Sequence, residues 1–263
     1  MRVLCLGDVV GHSGVSIVKK LLSDLIKKYD IDFVIANGEN AAPNGRGIGP
    51  NEFESLLNAG VDVITLGNHY NRNKEFKQLI GETNLVLPLN LLNGDPKEGS
   101  KLYYVKGNHI RVTSILKDAS AEASVVHEFL LVKEIIENNP KCIHIIDFHA
   151  EYTGDKKSFG YLFDGQISAM MGTHTHVQTR DYQILPRGTG YITDLGMCGD
   201  YESILGFEKN SVINKLYFGA SENFLVGDSS KKILSGVVLD INETTFLCRQ
   251  IFPVYIIDEE VKK

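Results

Sequence analysis

Val61-Asp62-Val63-Ile64-Thr65-Leu66-Gly67-Asn68-His69 is the stretch on which the fold turns. Val61, Val63, Ile64 and Leu66 read as a short buried strand, rich in β-branched residues and closed by Gly67. Asn68 and His69 then fall just past the strand, on the rim of a sheet. In an open α/β sheet the carboxyl-end rim is where ligands bind. An amide oxygen beside an imidazole is an odd pair to place there for stability alone. The pair reads as a metal ligand, Asn68, next to a proton donor, His69.

Toward the N-terminus the same pattern repeats. Residues 2–7 read as a buried strand ending in Gly7-Asp8. Val15, Val18, Leu21, Leu22, Leu25 and Ile26 then recur at helical spacing. Residues 33–36 form a second strand, closed by Asn37-Gly38-Glu39-Asn40, and Pro50 suits the first turn of a helix running to about 59. The first 70 residues thus read β-α-β-α-β, with a polar cluster at each strand end.

Toward the C-terminus, residues 101–105 and 110–116 flank a hairpin turn at Gly107-Asn108. Residues 123–138 carry an amphipathic helix that Pro140 stops. Residues 143–148 read as a strand with His149 at its end, and 169–172 lead into Thr173-His174-Thr175-His176. In extended backbone, positions i and i+2 point the same way, so both imidazoles would face one site. Tyr191-Ile192-Thr193 reads as a strand, and residues 233–241 and 245–251 as a hairpin turning at Asn242-Glu243. No linker or repeat interrupts residues 1–263, which read as one α/β domain with two sheets packed face to face.

Composition narrows the function. A hydrophobic fraction of 43% and a charged fraction of 23% argue for a packed globular chain. The formal net charge of −6 argues against broad, sequence-independent duplex binding, which needs a basic surface. Cys5, Cys142, Cys198 and Cys248 have neither zinc-site nor redox spacing, which fits a reducing, cytoplasmic compartment. The first strand begins at once, too early for a signal peptide, and no apolar run approaches the ~18 residues of a membrane span.

The strand ends carry Asp8, Glu39, Asn40, Asn68, His69, His149, His174 and His176. All are oxygen or imidazole groups, a set that suits Mn, Fe or Zn. Two carboxylates and three imidazoles exceed the needs of one ion. They match two divalent ions sharing a carboxylate, with a bridging hydroxide attacking a phosphate ester in line. The leaving oxygen then needs a proton, and His69 is the imidazole placed to give it. His12, His109, His127 and His144 read as ordinary hydrogen-bonded histidines, and Asn44-Gly45-Arg46-Gly47 as a solvated loop.

These residues resemble the calcineurin-like metallophosphoesterases. The marks are Gly7-Asp8, Gly67-Asn68-His69 and Gly172-Thr173-His174-Thr175-His176. The chain departs from the general pattern at Val10, where a histidine is usual, and at Glu39, where an aspartate is usual. Those departures resemble a narrower bacterial family, the YmdB-like phosphoesterases. That family is similar at residues 7–11, 37–42, 147–151, 172–179 and 191–197, in a match running from about 1 to 252. One stretch differs: Tyr70-Asn71-Arg72 stands where a Thr-Trp-Asp-like sequence is usual.

The resemblance implies an α/β/β/α four-layer sandwich. It implies one metal on Asp8, Glu39, Asn40 and His176, and another on Glu39, Asn68, His149 and His174, Fe or Mn before Zn. It implies phosphodiester hydrolysis, notably of 2′,3′-cyclic nucleotides, and a link to RNA turnover and regulation in bacteria. A small phosphodiester or nucleotide is thus the expected substrate, no membrane the expected setting, and a homo-oligomer is compatible with it. Two other functions stay open at this point. One is a phosphomonoesterase on the same scaffold, for which Arg46 and Arg72 are the available cations. The other is a regulatory protein that keeps its metals and binds RNA or protein.

Overall fold

The structure, a computed structural model, describes residues 1–91, 95–117, 127–221 and 223–259. Its strands in order are β1 (Arg2–Val10), β2 (Phe33–Asn40), β3 (Val63–Thr65), β4 (Leu85–Val86), β5 (Ser100–Val105), β6 (Asn108–Lys117) and β7 (Ile143–Ala150). There follow β8 (Ala169–Thr173), β9 (Gln183–Ile184), β10 (Gly190–Ile192), β11 (Met197–Asp200), β12 (Lys231–Ile241) and β13 (Cys248–Glu259). The helices are α1 (Gly11–Tyr29), α2 (Pro50–Ala59), α3 (Pro96–Gly99), α4 (Glu128–Asn138), α5 (Thr153–Leu162) and α6 (Lys209–Phe218).

The strands form a seven-stranded sheet, ordered β13-β12-β11-β1-β2-β3-β4, and a six-stranded sheet, ordered β5-β6-β7-β8-β10-β9. Alternation along β1 explains how they stack. Leu4 and Leu6 face outward to Val18 and Leu22 of α1 and Leu56 of α2. Val3 and Cys5 face inward, where they meet Val112, Ile145, Ala169 and Met171 of the other sheet. The second sheet repeats the device. Ile145 points to the shared core, while Ile146 and Phe148 point away, toward Val132 of α4 and Phe159 of α5. The Phe148 and Phe159 rings lie 4.5 Å apart. Helix, sheet, sheet and helix thus stack in four layers. Strands buried on both faces are largely apolar, which is why Val3-Leu4-Cys5-Leu6 of β1 reads as an unbroken hydrophobic run.

β1, β2 and β3 run parallel, as do β6, β7 and β8. Parallel strands finish at the same edge. That common direction carries Asp8, Glu39, Asn40, Asn68 and His149 to one rim.

Several expected boundaries move. The strand read from Val61 is regular only over Val63–Thr65, although the Leu66 amide still bonds the Val86 carbonyl. β2 continues through Asn40. The first hairpin turns on Lys106 and Gly107, both at positive φ (47° and 88°), one residue earlier than expected. Positions 123–126 of the expected amphipathic helix lie outside the described residues, and α4 begins at Glu128. α5 and α6 have no counterpart among the expected elements. α5 has two glycines and weak amphipathicity, and α6 exposes Leu216, Tyr217 and Phe218.

The opposite end of β7 is chemically different. A cavity of about 300 Å³ lies beside Arg111, Cys142 and His144. His144 is buried, and its Nε2 lies 2.9 Å from the Thr113 hydroxyl. Burial, aided by the Arg111 charge, pushes its pKa from 6.5 down to about 3. Below pH 6.5 the unfolded chain therefore takes up a proton that the folded chain refuses. The stability this group contributes is complete above pH 6.5 and is lost as pH falls toward 3, by up to ~1.4 kcal/mol per pH unit. His144→Gln should flatten the pH dependence of urea-unfolding stability between pH 6.5 and 4. Equal slopes in the two proteins would remove His144 as the acid-sensitive group.

Candidate metal centre

The seven residues expected as ligands meet at the shared rim, although they span positions 8 to 176. Around His149 Nε2 stand Asn68 Oδ1 at 3.0 Å, His174 Nδ1 at 2.9 Å and Glu39 Oε1 at 3.2 Å. Beside them, His176 Nε2 lies 3.2 Å from Asn40 Oδ1 and 3.9 Å from Asp8 Oδ1. The two groups touch, since the His174 amide donates to Asp8 Oδ2 at 3.1 Å. Asp8, Glu39 and His149 are essentially inaccessible to solvent.

This donor set fits divalent cations. Glu39, His149 and His174 offer three ligand atoms all within 4.8 Å of one another. His149 Nε2 can carry a single proton, yet it faces an amide oxygen, a carboxylate and a second imidazole. Asp8 Oδ1 is buried with no hydrogen-bond partner. A buried carboxylate oxygen left unpaired is costly, and a cation at that point would satisfy it.

The charges agree with this picture. Burial pushes the Asp8 carboxyl up to about 6, against the pull of His176 and His149. Burial also opposes ionisation of Glu39, but the charge of His149 and hydrogen bonds from His149 and His69 outweigh it, and the carboxyl stays well below its usual range. Burial works against the His149 cation too, yet Glu39 and Asp8 raise that group to about 9. Without a metal, a Glu39 carboxylate therefore faces a His149 imidazolium. A metal held at His149 Nε2 would have to displace that proton.

Each histidine of the cluster is oriented by its far nitrogen. His176 Nδ1 donates to the Leu205 carbonyl at 2.9 Å, which leaves Nε2 facing inward. His174 Nε2 lies 3.2 Å from a Glu151 carboxylate oxygen, which leaves Nδ1 facing inward. His149 Nδ1 contacts the Thr173 hydroxyl at 2.8 Å.

The route by which His174 and His176 reach the site differs from the expectation. They are not extended strand positions: β8 ends at Thr173, and both residues sit at positive φ, 98° and 63°. Left-handed backbone at a residue with a side chain costs about 1–3 kcal/mol and persists only where neighbours enforce it. Here Asp194 accepts from the Thr175 amide at 3.0 Å. The fully buried Lys156 donates to Asp194 at 2.8 Å and to the Thr173 carbonyl at 2.7 Å. Lys156 does not stand out in the sequence, and Asp194 lies in the family-similar stretch 191–197 without a role that the sequence assigns to it. A lysine on a weakly amphipathic helix reads as solvent-facing until the fold is known.

Gly67 is required by close approach. A methyl group there would overlap the Glu39 carboxylate and the His149 ring. The chain then turns outward, and His69 is half-buried, with 28% of its side chain accessible. Its backbone amide donates to Glu39 Oε2 at 3.1 Å, and Asn40 Nδ2 lies 3.2 Å from its Nδ1. The same Asn40 amide donates to the Gly45 carbonyl at 2.8 Å, so the loop after β2 serves to hold Asn40. Arg46 and Arg72 are exposed, and Tyr70 packs edge-on against Phe76 with ring centres 5.9 Å apart.

Comparison with known proteins agrees with this architecture. A protein 41% identical to this chain, over 99% of each, is the 2′,3′-cyclic-nucleotide 2′-phosphodiesterase of Bacillus subtilis (strain 168). A crystal structure of a novel phosphatase from Mycoplasma pneumoniae superposes with a TM-score of 0.90 at 33% identity, covering 99% of this chain and 94% of that one. A 5′-nucleotidase precursor from Thermus thermophilus shares the fold at a TM-score of 0.58 and 8% identity, covering 98% of this chain and 54% of its own. The family model described as YmdB-like protein matches residues 4–254, and the chain belongs to that family.

Proposed function

We propose that this protein is a dinuclear-metal phosphodiesterase that hydrolyses 2′,3′-cyclic nucleotides or related small nucleotides. That it is a phosphoesterase follows from its family and from the activities its relatives are named for. The observation that carries the finer reading is the meeting of two donor groups at one rim, with the half-buried His69 imidazole beside them. We assign Asp8, Glu39, Asn40 and His176 to one ion and Glu39, Asn68, His149 and His174 to the other, with Glu39 shared. Mn, Fe and Zn all accept such ligands. When bound, the ions would supply a nucleophilic water at neutral pH and positive charge for the phosphate oxygens.

The chain's own share of the chemistry falls to His69. His69 Nδ1 is turned into the cluster, 3.2 Å from Asn40 Nδ2 and 3.4 Å from Glu39 Oε1, so the role we assign to this ring rests on the proton carried at Nε2. That proton is the one available to a leaving ribose oxygen. Four unpaired cysteines support a reducing, cytoplasmic setting, and no helix among the described residues is long and apolar enough to cross a membrane.

A substrate panel tests the reading. Turnover per enzyme should be highest on 2′,3′-cyclic AMP, lower on bis-p-nitrophenyl phosphate and lowest on p-nitrophenyl phosphate. A preference for the monoester would make the enzyme a phosphomonoesterase on this scaffold.

A further inference from the structure

Asp147 is a buried carboxylate that the reaction described above does not use. It lies on β7 two positions before His149, so both side chains leave the same face, toward the other sheet. It is 4% exposed and sits among Asn37 (1%), Thr65 (0%) and Thr173 (0%). Three donors converge on it. Asn37 Nδ2 donates to Oδ2 at 2.9 Å, the Thr65 hydroxyl to Oδ2 at 2.5 Å, and the Thr173 hydroxyl to Oδ1 at 2.6 Å. These residues belong to β2, β3 and β8, so one side chain ties the two sheets together directly beneath the cluster.

The direction of the last hydrogen bond matters. A hydroxyl has one proton, and Thr173 gives it to the carboxylate. Toward His149 Nδ1, 2.8 Å away, the same oxygen can then only accept. His149 Nδ1 must carry a hydrogen, and the lone pair of the neutral ring is left on Nε2, the atom that faces Glu39, Asn68 and His174.

We propose that Asp147 is a positioning residue for His149. Acting through the Thr173 hydroxyl, it selects the His149 tautomer whose Nε2 is free to bind a metal. This rests on His149 being a ligand, as assigned above. A carboxamide at 147 should do the opposite. Asn37 is locked, because its Oδ1 accepts from the Glu39 amide at 3.1 Å, so its NH2 must still point at position 147. The oxygen of an introduced asparagine would stay on that side, opposite Asn37 and Thr65, and its NH2 would face Thr173. The Thr173 hydroxyl would then accept from it and donate to His149 Nδ1, moving the ring proton to Nε2 and blocking coordination. The isosteric change thus reverses a relay without opening a cavity.

The test is titration of metal-free protein with zinc alone, with thermal unfolding of each metal-free variant as a check on the fold. Wild type should bind two ions. Thr173→Ser keeps the hydroxyl and should stay close to wild type. Thr173→Val keeps the shape, removes the relay, and should weaken one of the two sites by about 10–100-fold. Asp147→Asn should weaken the same site at least as much. The double variant Asp147→Asn/Thr173→Val should lose no more than the larger single loss, because both changes break one path. Additive losses would mean that Asp147 acts by its charge at a distance, and would overturn the relay. Equal zinc affinity in Thr173→Ser and Thr173→Val would overturn it even if Asp147→Asn does not fold. A wild-type protein that binds no zinc would instead overturn the metal assignment, and the relay with it.

Discussion

Glu39→Gln is expected to lose at least one metal ion and nearly all turnover. Glu39 is buried, its Oε1 lies 3.2 Å from His149 Nε2, and its Oε2 accepts from the His69 amide. It is the one residue assigned to both ions. The amide is isosteric, so packing survives, but one of the two cluster carboxylates disappears. Asp8 alone would then balance two dications. Losing several kcal/mol of charge stabilisation, about 4 at this order, corresponds to about 10³-fold in rate. Metal content and turnover of 2′,3′-cyclic AMP, measured on the same preparation, check it. Two ions with normal turnover in that variant would falsify the shared-ligand assignment.

His69→Ala is expected to separate catalysis from metal binding. His69 is a half-buried imidazole whose Nδ1 is taken up by contacts to Asn40 and Glu39. The variant should keep its fold and both ions. Turnover should fall by roughly 10²–10⁴-fold, the usual worth of a positioned acid. The size of the loss should follow the leaving group. A ribose alkoxide leaves badly without a proton, so 2′,3′-cyclic AMP should suffer most. p-Nitrophenolate leaves unaided, so bis-p-nitrophenyl phosphate should suffer least. A metal-depleted variant would make His69 a ligand. Equal losses on both esters would make it a substrate-positioning group.

The parts of this site that the sequence discloses are those fixed by local rules. Asp8, Glu39 and Asn68 follow short β-branched or apolar runs, and a parallel sheet sends such strand ends to one rim. The pair His174 and His176 is also visible, because two histidines so close together are conspicuous. What holds them there is not visible. The reading from extended geometry reaches the right neighbourhood by the wrong path, since the rings converge through left-handed backbone at φ 98° and 63°. That backbone is held by Lys156 and Asp194, and His149 is set by Thr173 and Asp147. Asp147 also bonds Asn37, 110 positions away. No periodicity encodes a contact between positions so far apart. Lys156 looks, in a sequence, like any surface charge, and the family-similar stretches 147–151 and 191–197 mark Asp147 and Asp194 without disclosing what they bond.

The order of elements is legible for a similar reason. Strands packed on both faces carry apolar runs, and α1 is amphipathic at a regular period. α6 escapes because its apolar residues face outward, so its pattern carries no buried stripe.

Two metal ions, held by seven side chains at one sheet rim, would make this chain a phosphodiesterase. Elemental analysis of protein purified without added metal, paired with turnover of 2′,3′-cyclic AMP before and after chelation, tests it most directly. Two equivalents of divalent metal per chain, loss of turnover on chelation, and recovery on adding back manganese are the expected results. Undiminished turnover by protein stripped of metal, or full activity with a single equivalent, would contradict it.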